Sequence, residues 1–90
     1  MLKLNISKKA QKFLRRLPSK QQNQIAVKIK ELKHYGHTSD SLALKGSCWH
    51  RVDVGEYRII YDIEDKIVLF IALVGKRNDD EVYKKLRRLE

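Results

Sequence analysis

Eight consecutive apolar residues, Ile67 to Val74, place the strongest constraint on what this 90-residue chain can become. The run is apolar at both parities, so it predicts a central strand covered on both faces, and it is far too short to span a bilayer. Upstream, WHRVDVGEYRIIYDIE reads as two strands joined by a two-residue turn at Gly55-Glu56. That turn pairs Val54 with Tyr57, Asp53 with Arg58 and Arg51 with Ile60. Because strand side chains alternate faces, Trp49, Arg51, Asp53, Arg58, Ile60 and Asp62 share one side. Val52, Val54, Tyr57, Ile59, Tyr61 and Ile63 share the other. A two-residue loop at Glu64-Asp65 brings Ile67, Leu69, Ile71, Leu73 and Arg77 to the arginine side; a three-residue loop flips the last strand and takes Arg77 away.

The segments before and after the hairpin supply its cover. Leu2, Leu4 and Ile6 alternate with polar residues, predicting a short strand facing a core. Ser7 fits an N-cap, followed by Ala10, Phe13, Leu14 and Leu17 as one apolar helical stripe that Pro18 terminates. Ser19 with Gln22 has the pattern of a capping box. It opens a second helix with Ile25, Ile29 and Leu32 buried, assisted by Ala26, Lys28, Lys30 and Lys33 facing out, and Gly36 as its stop. Leu42, Leu44 and Lys45-Gly46 suggest a short extended piece inside the 36–48 loop. At the C-terminus Asn78 fits an N-cap, with Asp79, Asp80 and Glu81 on the first turn and Lys84, Lys85, Arg87 and Arg88 on the last. Val82, Leu86 and Leu89 form that helix's apolar stripe. Either this helix or a separate protein must cover the arginine side at Ile60, Leu69, Ile71 and Leu73. The expected architecture is a single α+β domain over residues 1–90. An N-terminal strand and a helical hairpin pack on an antiparallel sheet, and a helix ends the chain.

Charge narrows the partners. Twenty Lys and Arg against eleven Asp and Glu give a formal net charge of +9, which on so short a chain favours polyanions: nucleic acid, ribosome, anionic membrane or an acidic protein. Cys48 is the one cysteine, so no internal disulfide forms and a reducing compartment is expected. Beside Trp49 it reads as a small buried apolar residue. His34 and His37 are interrupted by Gly36, with no carboxylate or thiol at ligand spacing, so neither a metal nor another cofactor is expected. Without an apolar signal core, the chain reads as soluble and cytoplasmic, with no membrane partner. Taken alone, Arg58 opposite Asp53 reads as a cross-strand ion pair, and Trp49 reads as core.

In order along the chain, LALKG, VGEYRIIY and IALVGKRNDDEVYKKL carry a resemblance to the RelE/ParE toxin superfamily, on the side of the RelE-type ribosome-dependent mRNA interferases. The resemblance spans nearly the whole chain. It implies a type II toxin silenced by a cognate RelB-like antitoxin, with operator DNA a partner only through that complex. It implies metal-independent cleavage of mRNA in the ribosomal A site, the 2′-hydroxyl attacking the adjacent phosphorus. The family's catalytic positions fall on Arg51, Arg58, Arg77 and Tyr83. Lys45, Trp49, His50 and Lys76 are the expected RNA contacts beside them. Where the family commonly has a second lysine, this chain has Asp53, which removes a positive charge and faces Arg58.

The chemistry needs a base for the 2′-hydroxyl, a donor for the leaving 5′-oxygen, and charge stabilisation for the phosphorane. Arg58 and Arg77 suit the last role because a guanidinium holds two phosphate oxygens and stays charged. Tyr83 suits the first only if guanidinium groups lie close, since an ordinary phenol is a weak base at neutral pH. Arg51, His50 and Lys76 are the candidates for the leaving-group proton. Two other readings stand beside this one: a ParE-like inhibitor of DNA gyrase, and an attenuated toxin relative serving mainly to bind antitoxin.

Overall fold

The apolar run becomes the middle of the central strand. A computed structural model describes residues 1–78 and 81–89, and in the last helix the side chains of Val82, Tyr83, Lys84, Leu86 and Arg87. The elements are β1 (Lys3–Ile6), α1 (Lys8–Arg15), α2 (Ser19–Tyr35), β2 (Leu42–Ala43), β3 (His50–Val54), β4 (Tyr57–Glu64), β5 (Val68–Lys76) and α3 (Glu81–Leu89). They form one five-stranded sheet in the order β1-β5-β4-β3-β2. The sheet is mixed rather than antiparallel throughout, because β1 runs parallel to β5. β4 occupies one edge of β5, and the parallel pairing on the other edge lets the chain pass from β1 directly into α1.

The first hairpin has the expected register: Val54 opposes Tyr57, Asp53 opposes Arg58 and Arg51 opposes Ile60, with Gly55 supplying the positive φ of +58° that a tight turn needs. The second connection has three residues between the paired Glu64 and Val68. Asp65 and Lys66 take left-handed backbone angles, and the Ile67 N–H closes on the Glu64 carbonyl at 2.9 Å. This flips the start of β5, so Leu69 and Ile71 join Ile59, Tyr61 and Val52 on the side of α1 and α2 instead of the arginine side.

A bulge then reverses the flip. Tyr61 pairs with Ile71, but its neighbour Ile60 pairs with Leu73, leaving Ala72 extra. One inserted residue shifts parity by one. Ala72 and Leu73 therefore both face Ile60, Val82 and Leu86, while Val74 returns to the α1/α2 side. Past the bulge, Gly75 pairs with Arg58, and the Arg77 N–H donates to the Glu56 carbonyl at 2.9 Å. Arg77 thus follows the parity of Gly75 and lies at the arginine end of the sheet after all.

Ser7 fastens this arrangement. Its hydroxyl donates to the bulged Ala72 carbonyl at 2.5 Å and accepts the Ala10 N–H at 3.1 Å, while its own N–H donates to the Ile71 carbonyl at 2.9 Å. One side chain therefore caps α1 and satisfies a carbonyl that the bulge removes from the ladder.

Two apolar layers result. Under α1 and α2, Ala10, Ile25, Ile29 and Leu32 pack on Val52, Ile59, Tyr61, Leu69, Ile71 and Val74, with Phe13, Leu14 and Leu17 half-buried around them. On the other face α3 provides the cover, Val82 and Leu86 packing on Ile60, Ala72 and Leu73, flanked by Leu44, Trp49 and Phe70.

Several local expectations change. Pro18, not Ser19, is the N-cap of α2 and gives no side-chain cap bond; Gln22 instead donates to the Leu14 carbonyl at 2.7 Å, tying α2 to the end of α1. Leu4 and Ala26 are exposed along a groove between β1 and the helices rather than buried. Lys28 turns toward Glu31 and Asp40, at 3.1 and 3.0 Å. Cys48 is exposed, because it precedes β3 in a turn that Ser47 closes. The roles expected of Asp79 and Asp80 lie outside the described residues, and those of Glu81, Lys85, Arg88 and Leu89 outside the described side chains. Among the described residues no helix is long and apolar enough to cross a membrane.

Replacing Ser7 with alanine removes a helix cap and leaves the Ala72 carbonyl without its hydroxyl donor. Ser7→Ala should lower unfolding free energy by about 1–2 kcal/mol in urea denaturation; an unchanged midpoint would contradict the dual role.

Candidate functional site

Tyr83 is where the two halves of the arginine face meet. Val82, its neighbour on α3, packs over Gly75 so closely that a Cβ placed there would lie 2.3 Å from Val82 Cγ2. The glycine lets the helix lie directly on β5, as glycine inside a strand often does where another element approaches. That contact sets the phenol over β3 and β4. Its oxygen accepts Arg51 Nη1–H at 2.8 Å and Arg58 Nη1–H at 2.6 Å, with the Arg58 guanidinium carbon 5.6 Å from the ring centre.

Asp53 completes the cluster. Arg58 Nε and Nη2 donate to Asp53 Oδ1 and Oδ2 at 2.7 and 3.2 Å, a bidentate fork that turns the predicted cross-strand pair into a fixed one. Hydrogen bonds from Arg58 hold the Asp53 carboxyl below the usual carboxylate range, assisted by the charges of Arg58, Arg51 and Arg77. The same bonds raise the pKa of Arg58, and Tyr83 adds to that rise. Arg58 carries five N–H donors; two serve Asp53 and one serves Tyr83, so two are left for an incoming anion among the described residues.

The structure therefore joins Arg51, Arg58 and Tyr83 by direct contact. It puts Arg77, an exposed side chain at the end of β5, close enough for its charge to act on Asp53. Lys45 lies across a groove from Tyr83. Trp49 packs beside Phe70 at 6.2 Å between ring centres, within the layer under α3. His50 and Lys76 are elsewhere. His50 pairs with Tyr61, and its ring sits 5.6 Å from Tyr61 and 4.1 Å from His37 on the α1/α2 side. Lys76 pairs with Tyr57 on that side and is exposed. Of the three candidates for the leaving-group proton, only Arg51 reaches the cluster. Gly75 directly follows the apolar run, and a glycine at that point of a strand was the available sign of close approach.

Small α+β toxins with solved structures share this architecture. The isolated E. coli RelE toxin matches with a TM-score of 0.77 and 25% identity over 100% of both chains. A free-state E. coli RelE mutant with two arginines changed to alanine matches with 0.80 and 25%, covering 99% of this chain and 98% of that one. The archaeal RelE–RelB complex from Pyrococcus horikoshii OT3 matches with 0.76 and 24%, covering 84% and 94%. The class is thus that of RelE-like toxin folds. The family profile described as ParE toxin of the type II toxin-antitoxin system, parDE, matches residues 4–81, and the chain belongs to this family within the RelE/ParE superfamily. No curated protein matches it.

Because the folded Asp53 pKa lies below its unfolded value, the ion pair's contribution is complete above about pH 4 and disappears as pH falls through the folded pKa. The Asp53 side chain is 37% exposed, so screening limits that contribution to about 1 kcal/mol or less. Asp53→Asn should accordingly show a smaller acid-induced fall in stability by thermal melting, while an identical pH profile would mean that the pair is not formed in solution.

Proposed function

We propose that this toxin is a metal-independent endoribonuclease that cuts mRNA in the ribosomal A site, in the cytoplasm. The observation that carries the reading is the convergence of Arg51 and Arg58 on the Tyr83 hydroxyl, with Arg77 at the same end of the sheet. Arg58 and Arg77 hold the scissile phosphate through their uncommitted N–H groups and stabilise charge as it builds on phosphorus. Tyr83, fixed by two guanidinium groups and acting in its phenolate form, takes the 2′-hydroxyl proton as that oxygen attacks the adjacent phosphorus. The bond from phosphorus to the 5′-oxygen breaks as the new bond forms, and Arg51, the cluster cation nearest that oxygen, offsets its charge until it takes a proton from water. The products are a 2′,3′-cyclic phosphate and a free 5′-hydroxyl.

Inhibition uses the other side of the sheet. A groove of about 490 Å³ runs between β1 and the helices, with Leu4, Ile6, Leu14, Ile25 and Ile29 along its floor and Arg15, Lys30 and Lys33 at its rim. An amphipathic segment of a RelB-like antitoxin, apolar inside with acidic flanks, fits this surface. The related E. coli and Pyrococcus horikoshii structures include toxin–antitoxin complexes. Operator DNA enters only through such a complex.

A second reading, inhibition of DNA gyrase, draws on the ParE description of the matching family. The arginine–tyrosine cluster has no evident use in that activity. Purified toxin added to ribosomes programmed with message should give A-site cuts by primer extension. Tyr83→Phe and Arg58→Ala should each slow cleavage by roughly 100-fold or more, with far-UV circular dichroism unchanged. Intact message at saturating toxin, together with gyrase-linked DNA breaks in expressing cells, would replace this reading with the second.

A further inference from the structure

A groove of about 680 Å³ lies at the opposite end of the sheet from the arginine cluster, where the start of β1, the end of α2 and the β4–β5 connection meet. That volume is within the ordinary range for a small-molecule site. Leu2, Ile63 and Ile67 line it together with the Tyr35 ring, which is largely exposed and has the His34 ring edge-on to it at 4.5 Å. Lys3 and Lys66 supply two cations, and no acidic residue is among the described residues that line it. Main-chain bonds frame it: the Leu2 N–H donates to the Lys33 carbonyl at 2.8 Å and the Lys3 N–H to the Ile67 carbonyl at 2.9 Å.

His37 lines the same groove, and a chain of hydrogen bonds behind it decides which of its nitrogens a ligand can use. The chain starts at Asp40, whose carboxyl is held below the usual carboxylate range by the Thr38 hydroxyl and then by Lys28. A carboxylate only accepts, so Thr38 Oγ1 spends its hydrogen on Asp40 Oδ1 at 2.5 Å. Ser41 must then donate to Thr38 Oγ1 at 3.0 Å, and its own oxygen accepts the Tyr61 hydroxyl at 2.9 Å. Tyr61, with its hydrogen spent, accepts from His37 Nδ1 at 2.9 Å. His37 therefore carries its hydrogen on Nδ1 and keeps a lone pair on Nε2. Burial first, then the His50 ring at 4.1 Å, lower the His37 pKa from the ordinary histidine value, with Asp62 offsetting part of that fall.

A lone-pair nitrogen set among cations calls for a ligand that is anionic yet still brings a hydrogen. A phosphate monoester does both, because its second proton leaves at about pH 6, close to where an imidazole takes one up. A phosphodiester carries charge without that hydrogen. The apolar residues and the Tyr35 ring suit a planar organic body. We infer that this groove binds a small phosphate monoester with a planar ring, the chemistry of a nucleoside monophosphate. The phosphate lies between Lys3, Lys66 and His37, and the ring packs against Tyr35. The phosphate hydrogen passes to His37 Nε2, leaving a dianion against an imidazolium whose Nδ1–H bond to Tyr61 is strengthened by the charge. The site shares no residue with the arginine cluster and is independent of the nuclease reading.

The test is a titration of the full chain with adenosine 5′-monophosphate at pH 7 and physiological ionic strength, read by NMR at backbone amides and histidine ring nitrogens. Before ligand is added, His37 should show Nδ1 protonated and Nε2 bare. Ligand should shift the amides of Lys3, Gly36, His37 and Ile67 saturably and convert Nε2 to the protonated form. The methyl ester of the same nucleotide, a phosphodiester, should bind about tenfold more weakly, the worth of one charge-assisted hydrogen bond. His37 is exposed, so His37→Gln should stay folded, bind the monoester about tenfold more weakly and lose most of the difference between the two esters. Shifts confined to the arginine end, equal affinity of wild type for the two esters, or a bare Nε2 at saturation would overturn the site and leave the nuclease reading untouched.

Discussion

The bond between the Ser7 hydroxyl and the Ala72 carbonyl sits at the point on which the molecule's geometry turns. Without an extra residue in β5, the three-residue connection after Glu64 would leave Leu73, Gly75 and Arg77 facing α1 and α2. The bulge sends them to the other side, and a bulge needs something to take up the main-chain group it strands. Ser7 does so from the start of α1, so the helix cap and the strand register are one contact. The arginine–tyrosine end of the sheet is built on that contact. Gly75 lies flat under Val82, α3 docks, and the Tyr83 oxygen comes within hydrogen-bond reach of two arginines from different strands.

That oxygen is also where opposing demands are reconciled. Two guanidinium groups at one point repel each other, and a basic chain has few acids to spare for compensation. Asp53 relieves part of the repulsion by taking the side of Arg58 that does not face Tyr83. The carboxylate lowers the net positive potential a phosphate would feel, yet it fixes the guanidinium so that less order must be imposed when substrate arrives. The acid at this position thus offsets part of the cluster's positive charge and adds a contact that holds Arg58 in place.

Local patterns revealed much of this and long-range ones little. The first hairpin was legible because turn length and strand alternation fix each other, and Gly55-Glu56 left a single register. The stripes of α1 and α2, the cap at Ser7 and the stop at Gly36 were legible for the same reason. The direction of β1 was not, since short strands carry no record of their partner's orientation. Nor was the second connection: periodicity cannot count the residues in a loop, and an all-apolar run hides its parity, so the flip at Leu69 and its reversal at Ala72 were both invisible. The candidate residues Arg51, Arg58, Arg77 and Tyr83 came from the family resemblance; strand parity could reject His50, while only the structure separated Lys76 from Arg77.

If Arg58 and Arg77 serve one phosphate, they function as a unit, and units lose activity non-additively. A double-mutant cycle of Arg58→Ala and Arg77→Ala, read as single-turnover A-site cleavage with saturating toxin, measures this directly. A shared phosphate predicts that the double variant is about as slow as the slower single variant. Losses that multiply in full would mean that the two arginines meet different phosphates and that the shared site does not exist.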